Sequence, residues 1–314
     1  MRTLVTGAQG CIGSWVVKRL IEGGHEVVTF DVNESLARLG MIASPEIIRK
    51  VDRRTGRIED GAAFKKLVRD EQIDHIVHLA AVLMPFCQKN PVEGALINVI
   101  GTLNVFEAAR DAGRDVRIVY ASSSAVWGPP GEYPDQALTE DYPVKPATHY
   151  GVFKAANEGN ARVYFASDGI SSIGIRPWTV FGVGRDAGLT ADPTLAIRAL
   201  AERKPFTIRL TGHMDMQYVR DVADIFIQCL ESRPAGAHVF NLRGEVVNME
   251  DFRRILERLR PEAADLISIK GSPVPVAWRM DDSALERIVG PVPRTPLNDA
   301  ISETLVAFER LANG

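Results

Sequence analysis

Tyr150 and Lys154 stand four residues apart in His149-Tyr150-Gly151-Val152-Phe153-Lys154. On a helix that spacing puts both side chains on one face. A lysine ammonium beside a phenol stabilises the phenolate and draws its pKa below the usual value of about 10. Such a tyrosine can take the proton of a substrate hydroxyl while hydride leaves the adjoining carbon. The spacing is common on ordinary helix surfaces, so a second feature has to support it. That feature is Ala121-Ser122-Ser123-Ser124-Ala125-Val126-Trp127-Gly128, where serines end a predicted strand at the place a parallel sheet presents reactive groups. A hydroxyl there can hold a substrate oxygen beside Tyr150, although serines also serve as strand-end turn formers.

A hydride needs an acceptor, and the N-terminus offers a place for one. Thr6-Gly7-Ala8-Gln9-Gly10-Cys11-Ile12-Gly13 follows a short apolar strand and opens an amphipathic helix. Backbone amides and the helix dipole at such a junction face a pyrophosphate. Asp31 ends the second predicted strand, 18 positions after Gly13. A carboxylate there hydrogen-bonds an adenosine ribose and repels a 2′-phosphate, which favours NAD over NADP. Arg53, Arg54 or Arg57 would weaken that preference by folding beside Asp31.

These groups need a sheet to hold them. β-branched runs predict strands over 3–6, 26–31, 47–52, 75–79, 117–121 and 172–176. Helical patterns over 12–22, 62–69, 92–112 and 149–166 separate them, the habit of a doubly wound parallel sheet. After Arg176 the alternation loosens at Pro177, Gly182, Gly184, Gly188 and Pro193. A helix over 221–230 and a strand over 238–242 follow, and the chain finishes with helices near 249–259 and 297–311. The expected division is an α/β Rossmann domain over 1–177, rejoined at about 213–242, with 178–212 and 243–314 as a smaller interwoven substrate-binding region. Their seam is the expected substrate cleft.

Composition narrows the partners. With 37 basic and 40 acidic residues among 314, a net charge of −3 gives no field for nucleic acid or an anionic membrane. A small molecule is the expected partner. Three cysteines without a CxxC suit a reduced, cytoplasmic protein, and the start of the chain does not read as a signal peptide. No apolar run approaches the roughly 20 residues that span a bilayer. His75 and His78 point to opposite faces of their strand, so no metal is expected.

Taken together, these motifs resemble the extended short-chain dehydrogenase/reductase superfamily, specifically its NAD-dependent epimerase/dehydratase group. The likeness runs through the glycine turn, Asp31, His78-Leu79-Ala80-Ala81, Asn98 with Gly101-Thr102, the serine run, Tyr150 with Lys154, Arg176-Pro177, and Val219-Arg220-Asp221-Val222-Ala223. The resemblance implies Ser123, Tyr150 and Lys154 as catalytic residues, with Ser124 a possible substitute for Ser123. It implies a cofactor contact set of Gly7, Gln9, Gly10, Cys11, Ile12, Gly13, Asp31, Ile58, Leu79, Ala80, Ala81, Asn98, Ser122, Tyr150, Lys154 and Pro177. It also implies a homodimer through the helices around 92–112 and 149–166.

Departures from the group bear on substrate. Met214-Asp215-Met216 stands where nucleotide-sugar enzymes of the group carry an Arg-Asp-aromatic run, and Thr179 where an asparagine is frequent. Without a cation, a nucleotide diphosphate lacks its strongest partner. Ser124-Ala125 replaces the Asp-Glu pair of the dehydratases. Arg57 replaces an acidic residue near adenine. The expected substrate contacts are Ser123, Ser124, Tyr150, Thr179, Arg185 and Gln217. The leading expectation is an NAD-dependent oxidoreductase acting on a secondary hydroxyl of a small sugar, polyol or sugar acid. A sugar epimerase with no net redox change, and a non-catalytic dinucleotide sensor, are the alternatives.

Overall fold

The computed structural model describes residues 1–313. Its centre is a seven-stranded sheet of β1 (Arg2–Thr6), β2 (Glu26–Asp31), β3 (Asp52–Thr55), β4 (His75–His78), β5 (Arg117–Ala121), β6 (Ser172–Arg176) and, much later in the chain, β10 (Ala237–Asn241). The spatial order is β10-β6-β5-β4-β1-β2-β3, and every pairing is parallel. Each residue of β4 and of β6 is buried, as a sheet covered by helices on both faces requires. The order of the strands reverses between β1 and β4, so the crevice at their carboxyl ends opens there.

Two small sheets flank this one. β7 (Thr179–Phe181), β9 (His213–Tyr218) and β11 (Glu245–Asn248) form the first, and β8 (Phe206–Thr211) with β12 (Ile267–Pro273) the second. The strand β9 therefore lies outside the large sheet. The chain returns through the helix Val219–Ser232, which packs on the helix Cys11–Glu22, and then through β10.

The strand expected over 47–52 is not formed. Pro45–Arg49 is a short helix with proline in its first turn, and the third strand follows at Asp52–Thr55. A short apolar run such as Ile47-Ile48 suits a helix or a strand equally. The true strand carries Asp52, Arg53 and Arg54, charges that an edge position tolerates.

The continuous helical stretch Pro91–Asp111 also differs from expectation, being long and apolar enough to cross a membrane by length and composition, with 44% of its most apolar window buried. Its inner side carries Asn98, Thr102, Val105, Phe106 and Ala109, whereas Val92, Leu96 and Ile100 are exposed. Leu96–Ile100 is a π-helical turn within it.

The helix His149–Asp168 begins where the Thr148 hydroxyl accepts the Gly151 N–H at 3.1 Å, and it ends at Gly169, with φ of 70°. Its buried face consists of Gly151, Lys154, Asn157, Glu158 and Ala161. Three polar side chains inside one helix face require partners, and the site supplies them.

Packing at the first helix is equally demanding. A Cβ on Gly13 would lie 2.2 Å from the Gly7 carbonyl oxygen, backbone that has no room to yield. Gly13→Ala is expected to lower stability by about 2 kcal/mol or more, read as a reduced urea midpoint. An unchanged midpoint would show that the turn relaxes freely.

Candidate active site

The glycine turn is built backbone against backbone. Gly7 has φ of 64°, and a Cβ there would sit 2.6 Å from Ala80 N. Gly10 N donates to Gly7 O at 3.0 Å and precedes the helix Cys11–Glu22. No described side chain caps that helix, and its first turn has no acid. Its leading N–H groups are thus left for an anion. Asp31 accepts from Gln9 N at 2.9 Å and from Asn33 N at 3.0 Å, joining the end of β2 to the turn. Arg54 is taken by Asp52 and Glu71, and Arg57 by Glu59, so both are engaged by carboxylates other than Asp31.

A cleft of about 330 Å³ opens at the end of the turn. Gly7, Gly10, Cys11, Ile12 and Gly13 form one end, and Leu79, Ala81, Ser122, Ser123, Ser124, Tyr150, Lys154, Pro177 and Arg185 continue it. The Ser123 hydroxyl accepts Ala125 N–H at 3.1 Å and lies near enough to the Tyr150 phenol to favour its ionised form. Lys154 Nζ donates to the Ala121 carbonyl at 2.6 Å and lies 5.6 Å from the centre of the Tyr150 ring. Burial pushes the Lys154 pKa down to about 8. Burial also raises the Tyr150 phenol, and the Ser123 bond and the Arg185 charge only partly oppose it. The expectation of a phenol drawn below its usual range is therefore not met in the protein alone. Desolvation outweighs the Arg185 charge, and the Lys154 ammonium is aimed at a carbonyl.

Behind this wall lies a charge pair that the sequence reading missed. Arg176 donates from Nε and Nη2 to the two oxygens of Glu158, both at 2.8 Å, and the side chains are 5% and 4% exposed. The Ser122 hydroxyl donates to Glu158, and Arg176 Nη1 reaches Asn241 Oδ1 at 3.3 Å. Glu158 follows Lys154 by one helical turn, a spacing that could have revealed it.

Other expected residues act from behind the cleft. Asn98 accepts Val82 N–H at 2.8 Å and returns a bond to Val82 O at 2.9 Å, pinning the loop that holds Ala80 and Ala81. Ile58 is buried against Gly101. Thr179 and Gln217 are not brought to the cleft. Strand alternation turns Trp178 and Val180 toward it and leaves Thr179 fully buried. Gln217 is held by Trp178 N, Leu242 O and Asp215. Met214 and Met216 are core residues. Arg185 does line the cleft, and its buried Nε finds no partner among the described residues. Arg38, Asp186, Trp178 and Val274, unmarked by any sequence motif, line it too.

The remaining titratable groups are accounted for locally. His78 lies between the Thr6 and Thr102 hydroxyls, at 2.7 and 3.0 Å, and burial pushes it down to about 3. His75 is near Arg233, with its pKa pushed down to about 4 chiefly by burial. Among the described residues no group of three or more His, Cys, Asp or Glu is gathered as a metal site. Burial lifts the Cys11 thiol to about 12, which keeps it neutral.

An oxidation that used Tyr150 as its base would need the phenol deprotonated and Lys154 charged beside it. Removing the charge by Lys154→Met should raise the apparent pKa of the ascending limb of the pH–rate profile, because the phenolate loses a nearby cation. The rate near neutrality should fall about 100-fold. An unshifted limb would mean that Lys154 has no electrostatic part in the chemistry.

Sequence and fold are similar to those of known proteins. The chain matches the model of the NAD dependent epimerase/dehydratase family over residues 3–243. A UDP-glucose 4-epimerase of Mycolicibacterium smegmatis is 35% identical over 241 residues, 75% of this chain and 74% of the relative. The structure of a UDP-glucose 4-epimerase of Thermus thermophilus in complex with NAD is similar with a TM-score of 0.82 and 24% identity, covering 98% of this chain and 99% of that one. An L-threonine dehydrogenase of Phytophthora infestans gives a TM-score of 0.85 at 19% identity, with 99% and 100% covered. At such identities the two structures are alike in fold alone.

Proposed function

This chain belongs to the NAD dependent epimerase/dehydratase family, and from that membership we propose an NAD-dependent dehydrogenase that oxidises a secondary hydroxyl of a small sugar, polyol or sugar acid. The residues present fit the cofactor: an uncapped helix end beside a turn in which added Cβ atoms would collide, with Asp31 closing its far side. The chemistry supplied by bound NAD is acceptance of a hydride. Tyr150 takes the hydroxyl proton, Ser123 holds the same oxygen, and Lys154 supplies positive charge near the phenolate. The substrate loses its O–H and C–H bonds and gains a carbonyl.

The observation that carries the substrate class is Arg185, a cleft guanidinium with an unpartnered buried Nε whose charge is felt at Tyr150. A substrate carboxylate would satisfy it through charge-assisted hydrogen bonds. On the nucleotide side, the resemblance places an arginine where Met214 is buried in the core, which argues against a diphosphate tether. The epimerase reading is supported by several relatives named as UDP-glucose 4-epimerases, among them one 35% and one 30% identical to this chain. We also place the protein in a reducing cytoplasm, on its three free thiols, and infer a homodimer. Val92, Leu96, Ile100, Val152 and Val163 are exposed on two neighbouring helices, where a second copy would bury them. Leu96→Glu should leave a monomer in sedimentation velocity; an unchanged sedimentation coefficient would count against that face.

A panel of sugars, polyols and aldonates with NAD tests the activity. Arg185→Ala should raise KM about 10-fold for acids while sparing neutral substrates. Tyr150→Phe should lower kcat about 1000-fold for all of them. Full activity of Tyr150→Phe would remove the mechanism. Interconversion of UDP-glucose and UDP-galactose without NADH release would establish the epimerase reading instead.

A further inference from the structure

Arg38 crosses the cofactor end of the cleft. It lies in the short helix Ala37–Gly40 shortly after β2, and its Nη1 donates to Gln9 O within the glycine turn at 2.7 Å. Its Nε and Nη2 donate to the two oxygens of Asp186 at 3.1 and 2.7 Å. Asp186 belongs to the opposite wall, in the segment between β7 and the helix Asp192–Ala201. That segment is fastened to the first helix by Trp15, whose indole N–H donates to Val183 O at 2.9 Å. Arg38, Arg185 and Asp186 all line the cleft beside Gly10 and Cys11, and the charges of all three act on the Cys11 thiol. Two cations and one anion thus converge on the uncapped helix end that must face an anion.

We propose that Arg38 is a diphosphate-binding residue held in reserve by Asp186: in the free protein the carboxylate occupies the guanidinium, and the cofactor diphosphate takes its place on binding. A guanidinium fork fits carboxylate and phosphate oxygens alike. The pair is open to solvent, with side chains 28% and 43% exposed, and exposed ion pairs of this kind contribute little to stability. Exchanging one anion for another beside a positive helix end is therefore inexpensive, and the pair becomes a clasp that sets cofactor affinity and exchange. The charged groups facing it are Arg185 and, across the turn, Asp31, whose charge also acts on Arg38. This inference rests on family membership and not on the choice between dehydrogenase and epimerase.

Binding of NAD, ADP, adenosine and NADP to the full chain tests it without any turnover, by calorimetry, with NADH release followed by stopped-flow fluorescence. Arg38→Ala should weaken NAD and ADP about 10-fold and leave adenosine unchanged. Asp186→Asn should tighten NAD and ADP about 3-fold and slow NADH release, because the guanidinium no longer has a competing anion. Both variants should keep the parental melting temperature. The proposal is overturned if Asp186→Asn weakens binding as Arg38→Ala does, which would make the pair a brace. It is equally overturned if the Arg38→Ala loss is confined to NADP, which would make Arg38 a 2′-phosphate contact.

Discussion

The buried pair of Arg176 and Glu158 is the constraint on which the site depends. Arg176 ends β6, Glu158 lies on the helix of Tyr150 and Lys154, and Ser122 follows β5. One carboxylate therefore ties a strand end, a serine loop and the helix of Tyr150 and Lys154 together. The guanidinium also stacks over Trp127, with Cζ 4.7 Å from the ring centre, and reaches Asn241 at the end of β10. The carbonyls of Arg176 and Pro177 receive the Ser124 hydroxyl and N–H at 3.1 and 2.9 Å. Removing either partner of such a pair leaves an uncompensated buried charge, at a cost of roughly 3–5 kcal/mol. The geometry of Ser123 beside Tyr150 is inherited from this arrangement.

The same burial governs the chemistry. Desolvation raises the phenol and lowers the ammonium, and Cys87, followed by Glu158 one turn along, opposes the fall in the Lys154 pKa. The Arg185 charge acts on the phenol from the wall of the cleft and lowers its pKa in part.

Periodicity made much of this legible. The parallel sheet shows itself because strands buried on both faces are continuous apolar runs, and Tyr150 with Lys154 because one helix fixes their spacing. The glycine turn is local as well. What could not be read depends on contacts distant in sequence or on which side of a strand a residue faces. Arg38 and Asp186 meet across 148 positions. Thr179 was expected at the substrate, yet the register of β7 on β9 turns it inward. Gln217 spends its amide on Trp178 and Leu242. The third strand was misplaced because its charged residues suit an edge, whereas the apolar run before it attracted the assignment.

In the proposed reaction hydride leaves the substrate for good. It is tested most directly with a substrate deuterated at the reacting carbon, incubated with excess NAD and followed by mass spectrometry. The account predicts deuterated NADH in solution at many equivalents per protein chain, together with a ketone product. Deuterium that returns to an epimerised product, with no more than one reduced cofactor per chain, would contradict it.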